Sequence, residues 1–65
     1  MSFSPRQRDA LQLIAKWGPV DGQMLATHLG TSEQGAHMTM ASLVRAGVVV
    51  RFKDPYSHRI RYRRR

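Results

Sequence analysis

Apolar positions in the first two-thirds of the chain recur at helical spacing, and those in the last third alternate with cations. Ala10, Leu11, Ile14 and Trp17 form a first stripe, widened by Leu13. Ahead of it, Ser4-Pro5-Arg6-Gln7 has the form of a helix start: Ser4 caps, Pro5 stands where its missing N–H costs nothing, and Gln7 closes a capping box. Gly18-Pro19 stops the stripe, which predicts a helix over about residues 5–17. Asp21 is the next N-cap candidate, with Met24, Leu25, His28 and Leu29 behind it and Gly30 as a left-handed stop, predicting a helix over 22–29. Thr31 or Ser32 then caps a third helix, about 32–46, whose stripe is Ala36, Met40, Leu43 and Val44 and whose end is Gly47.

After Gly47 the period falls to two. Val50 and Phe52 alternate with Arg51 and Lys53, and Ile60 and Tyr62 with Arg59, Arg61 and Arg63. Asp54-Pro55-Tyr56-Ser57-His58 reads as a five-residue loop, because Pro55 cannot continue a ladder. The expected hairpin turns Val50, Phe52, Ile60 and Tyr62 toward the helices and a comb of cations away from them. Two capped helices separated by one glycine form a helix-turn-helix signature. The expected fold class is α+β, mostly α: a three-helix helix-turn-helix core followed by a two-stranded antiparallel β-hairpin over about 48–63, in a single domain spanning 1–65. No internal repeat or linker interrupts it.

Composition sharpens the functional side of this picture. The 65 residues carry 11 Lys+Arg against 4 Asp+Glu, a formal charge of +7. Residues 1–44 balance to zero, so the excess lies entirely in residues 45–65. A neutral portion that folds and a basic portion that alternates with apolar residues is the footprint of a partner rich in phosphate. Without cysteine there is neither a disulfide nor a Cys-ligated metal. The spacing of His28, His37 and His58 fits no compact ligand pattern. The longest apolar run is Val48-Val49-Val50, far short of the roughly 20 residues a membrane span needs, and no signal peptide is evident. A soluble, cytoplasmic chain is the expectation. A nucleophile–base pairing and a glycine-rich phosphate loop are both lacking, so the chain is not expected to be an enzyme and is assigned no cofactor. Phe3, Trp17, Phe52 and Tyr62 are expected in or at the edge of the core.

The stretch Met24-Leu25-Ala26-Thr27-His28-Leu29-Gly30-Thr31-Ser32 resembles the E-L-A-x-x-L-G-x-S segment of winged helix-turn-helix DNA-binding domains. Ala36 to Val49, with Met40, Leu43, Arg45 and Gly47-Val48-Val49, is similar to the V-x-x-x-L-x-x-L-x-x-x-G-L-V segment that follows it there. The resemblance covers about residues 4–63, and bacterial regulators of the MarR and related types are its nearest analogues. Two positions depart from the pattern. Gly35 stands in the first turn of the third helix, and the exposed face of that helix has no Arg or Lys before Arg45. Long flanking helices of the kind larger regulators use to dimerise are also missing from this stretch.

The resemblance implies a partner, double-stranded DNA, with the third helix in the major groove and the hairpin, or wing, on the phosphate backbone. Gln34 would pair with adenine, His37 with a guanine acceptor or a phosphate, and Met38 with a thymine methyl. Thr31, Ser32 and Gly35 would meet a phosphate at the helix N-terminus. Arg45, Arg51, Lys53, Arg59 and Arg61 would follow the backbone, with Tyr56 and His58 at the wing tip against a sugar or the minor groove. A monomer of this size covers one half-site, which leaves room for a weak homodimer or a protein partner. Two other functions fit the same sequence: an adaptor docking a protein on the cation-poor third helix, and sequence-independent binding of RNA or single strands by the arginine-rich hairpin.

Overall fold

The structure, a computed structural model, describes residues 2–65. Its elements run α1 (Pro5–Trp17), β1 (Val20–Asp21), α2 (Gly22–Leu29), α3 (Glu33–Arg45), β2 (Val49–Lys53) and β3 (Ile60–Arg64). Local chemistry sets the helix limits. Ser4 Oγ accepts from the Gln7 N–H and the Gln7 side chain accepts from the Ser4 N–H, a complete capping box. Asp21 caps α2 through the Met24 N–H at 2.9 Å, and Ser32 caps α3 through the Gly35 N–H at 3.1 Å. Gly30 takes φ +67° between α2 and α3, a backbone state that costs other residues about 1–2 kcal/mol.

Ala10, Leu13 and Ile14 of α1, Leu25 of α2, and Ala36, Met40 and Leu43 of α3 meet in one core, closed from the sheet side by Val20, Val49 and Tyr62. Leu25, Met40, Leu43, Val20 and Tyr62 are almost wholly buried, which is worth about 1.5–3 kcal/mol for each large apolar side chain.

The sheet differs from the expected two-stranded hairpin. It has three antiparallel strands in the order β1-β3-β2, with Val20 opposite Tyr62 and Asp21 opposite Arg61. A two-residue strand between Pro19 and a helix cap is too short to show a period of two, and its partner lies forty residues downstream. Pairing lets Val20 bury completely beside Tyr62.

The facing of the hairpin is also corrected. Arg51 lies opposite Tyr62 and Lys53 opposite Ile60, while Val50 and Phe52 lie opposite Arg63 and Arg61. Directly opposed residues share a face. Arg51 and Lys53 therefore stand on the helix-facing side with Tyr62 and Ile60, and Val50 and Phe52 on the outer side with Arg61 and Arg63. The cause is one residue of loop. The Asp54 N–H donates to the Arg59 carbonyl at 2.8 Å, so four residues turn the chain rather than five. A one-residue slip flips every side chain of one strand relative to the other.

Phe3 packs against the core and Tyr62 is in it, but Trp17 is 61% exposed. It lies in the last turn of α1, where the chain leaves the helix at Gly18, and the Lys16 ammonium sits 5.4 Å from its ring. Among the described residues, no helix is long and apolar enough to cross a membrane.

Candidate nucleic-acid interface

The faces of α3 follow from its 3.6-residue period. Ala36, Met40 and Leu43 enter the core. Gln34, Met38, Ala41 and Arg45 are exposed, with Met38 at 67%. Glu33 and His37, one turn apart, both reach the strand region: Glu33 Oε1 lies 3.1 Å from an Arg59 nitrogen, and His37 Nδ1 lies 2.7 Å from the Tyr62 hydroxyl. The direction of that second hydrogen bond follows the tautomer of the imidazole.

His37 is thus half-buried rather than free at the surface. Its ring lies tilted against Tyr62 at 5.7 Å between centroids, and its Nε2 edge abuts Gly22 so closely that a β-carbon there would collide with it. Gly22 is buried in the first turn of α2 because the ring occupies that space. Burial raises the Tyr62 phenol above its ordinary value, and the neighbouring Arg51 guanidinium opposes the rise.

Thr31 and Ser32 sit in the turn before α3. Ser32 is spent as a cap, and Thr31 Oγ1 would lie 2.5 Å from a β-carbon added to Gly35. Gly35 therefore makes room for Thr31, and its carbonyl accepts from Thr39 Oγ1 at 3.1 Å.

The predicted comb of cations divides into two kinds. Arg59 Nε is 3.3 Å from Asp21 Oδ2 while another nitrogen of the same guanidinium reaches Glu33. Arg61 Nε donates to Asp54 Oδ2 at 2.7 Å. The Asp54 carboxyl is held below its ordinary range first by the Tyr56 backbone N–H and then, against some desolvation, by Arg61. Arg45, Arg51 and Lys53 are exposed and, among the described residues, enter no ion pair with an acid.

Arg45 and Arg51 rim an open groove of about 430 Å³ between α3 and the sheet, floored by His37, Ala41, Val44, Ile60 and Tyr62. The opposite flank of α3 borders a second groove, of about 350 Å³, where Arg6 and Ser4 face Gly35, Met38, Thr39 and Ser42. Tyr56, 94% exposed, stands at the loop tip beside His58, which takes φ +59°.

The structure therefore brings Arg45 and Arg51 together on one groove beside α3, with Lys53 on the same sheet face as Arg51. It leaves Gln34 exposed and Met38 on the opposite flank of α3 with Arg6, places Tyr56 and His58 at the tip, and commits Arg59 and Arg61 to acidic partners. Sequence reasoning missed Asp21 and Glu33 as partners of Arg59, and Arg6 as the cation across the second groove. Asp21 reads locally as a helix cap and Glu33 as part of the exposed face of the third helix, and their spatial link to Arg59 has no signal in the sequence. Among the described residues, no three His, Cys, Asp or Glu side chains cluster to hold a metal.

No family model matches the chain, and no curated protein matches it. Among solved structures it is similar to RV1404 from Mycobacterium tuberculosis, with a TM-score of 0.90 over 98% of this chain and 25% sequence identity. The chain spans 44% of that protein's length.

Proposed function

We propose that this chain is a winged helix-turn-helix module that binds double-stranded DNA, a transcription regulator of bacterial or phage type working in the cytoplasm at the nucleoid. The observation that carries the reading is the groove between α3 and the sheet: Arg45 of α3 and Arg51 of β2 rim it together, and Arg51 and Lys53 stand on the helix-facing side with no acidic partner among the described residues. An α-helix fits the major groove, and its side amides and apolar tips read base edges, while flanking cations neutralise phosphates. Gln34 is the proposed adenine contact and Met38 the thymine-methyl contact. Ser32 and Thr31 lie at the N-terminus of α3, where the helix dipole favours an anion.

Titration of isotopically labelled protein with a duplex at two salt concentrations tests this reading. Amide shifts at Ser32–Met38 and at Arg51–Lys53, weakened by salt, are expected. Shifts confined to β3 and Arg65, equal for duplex and single strands, would favour generic polyanion binding. The exposed Met38 and the absence of a cation in the first three turns of α3 favour a second reading, a protein-docking face, in which neutralising Arg51 and Lys53 leaves partner binding intact.

A further inference from the structure

We infer that Arg59 is a positioning residue, the strut that holds the hairpin at its distance from α3, and that it does not spend its charge on phosphate. The inference rests on the DNA-binding reading. Arg59 immediately precedes β3, and its one guanidinium reaches two acids on two other elements. Asp21 belongs to β1 and caps α2 through Oδ1 while Oδ2 takes Arg59 Nε, so its carboxylate is occupied on both oxygens. Its side chain is only 13% exposed. Glu33 opens α3, so Arg59 joins the loop end of the hairpin to the starts of both helices of the α2–α3 pair. The His37–Tyr62 hydrogen bond makes a second tie one turn further along α3. Two ties on one helix face fix an angle where one would leave a pivot. The planar fork of arginine suits this bridge, and a lysine ammonium cannot span both carboxylates in the same way.

The strut and the phosphate contact predict opposite signs for the acids. Removing a negative charge near a polyanion site tightens binding on Coulombic grounds alone. Loss of the strut instead lets the hairpin shift, and Arg51 and Lys53 lose their register with α3.

Asp21→Asn keeps a good helix cap, and Glu33→Gln keeps the side-chain shape, so the double variant removes charge and little else. Its affinity for a mixed-sequence duplex is measured by fluorescence anisotropy across a salt series, beside Arg59→Ala, Arg59→Lys and the triple combination. The expected result is about fivefold weaker binding by the double variant, the scale of one favourable ion pair. Arg59→Lys should be as weak as Arg59→Ala, and the triple variant no weaker than either parent. Unchanged or tighter binding by the double variant, or full activity of Arg59→Lys, overturns the strut.

Arg51→Ala/Lys53→Ala serves as the control for DNA reading itself. Should that variant bind the duplex like the parent, the DNA reading fails, and the strut is judged on the free protein. Non-additive losses in Tm between Asp21→Asn and Arg59→Ala, with amide shifts in β3, would then support it, and additive losses would overturn it.

Discussion

His58 is the only described non-glycine residue with positive φ, and it holds the hairpin loop in that state. A glycine at this position gives up nothing conformationally in the folded state, and a β-branched residue is penalised there by about 1–2 kcal/mol. His58→Gly is therefore expected to keep or raise the thermal midpoint and His58→Val to lower it by several degrees, about 4–8 °C per kcal/mol for a domain this small. Gly22 makes the opposite demand. Its missing β-carbon leaves space for the His37 ring, so Gly22→Ala should cost about 1–3 kcal/mol in chemical denaturation, the usual range for overpacking. Adding His37→Ala to that variant should recover part of the loss, because the ring that clashes is gone. Neither residue announces this role in the sequence. Gly22 follows an N-cap and reads as an ordinary helix start, and His37 reads as surface, because the strand that covers it arrives only twenty-five residues later.

At the scale of elements, what was legible was whatever is decided within one turn of chain. Ser4 with Gln7, Asp21 and Ser32 mark the helix starts, Gly30 and the Gly47 turn mark stops, and these signals need no distant partner. The exposed face of α3 followed from the same periodicity except at His37, which the sheet covers. Strand facing did not, because it depends on which residue closes the loop, and Asp54 pairs with Arg59 instead of joining the loop. The Asp54 carboxylate, which accepts from the Tyr56 N–H and from Arg61 Nε, makes the loop sensitive to acid. The Asp54 pKa is lowered on folding, so its stabilising effect is present above the ordinary carboxylate value and is lost as pH falls through the lowered one. Amide signals of Tyr56 to Arg61 should accordingly move at acidic pH, below the usual aspartate range, before the helices unfold. In Asp54→Asn that step should vanish, which a pH series of amide spectra would show. The third strand is a matter of burial more than of pairing: Val20→Ala removes two methyl-sized groups from a fully enclosed site beside Tyr62, and about 1–2 kcal/mol of stability should go with them.

For the whole molecule, the distribution of charge matters more than its total. The formal +7 invites the expectation that six or so cations meet phosphate, which would give a slope of about −5 in log K against log salt. The folded chain divides those cations. Arg59 is held by Asp21 and Glu33, Arg61 by Asp54, and Arg63 stands on the outer side opposite Val50. Arg45, Arg51 and Lys53 remain toward α3, joined by Arg64, whose partner Val49 is on the core side. Four such contacts give a slope of about −3.5. Replacing Arg51 and Lys53 together with alanine should flatten it by about 1.8, while Arg61→Ala should leave it near the parent value. Fluorescence anisotropy with one duplex over a range of salt concentrations measures all three. A parent slope near −5 would mean that the internal ion pairs open on the duplex and release their arginines to it. A slope near −3.5 that is insensitive to Arg61 would mean that the acidic residues of a strongly basic chain have a task of their own: they select which of its cations the nucleic acid meets.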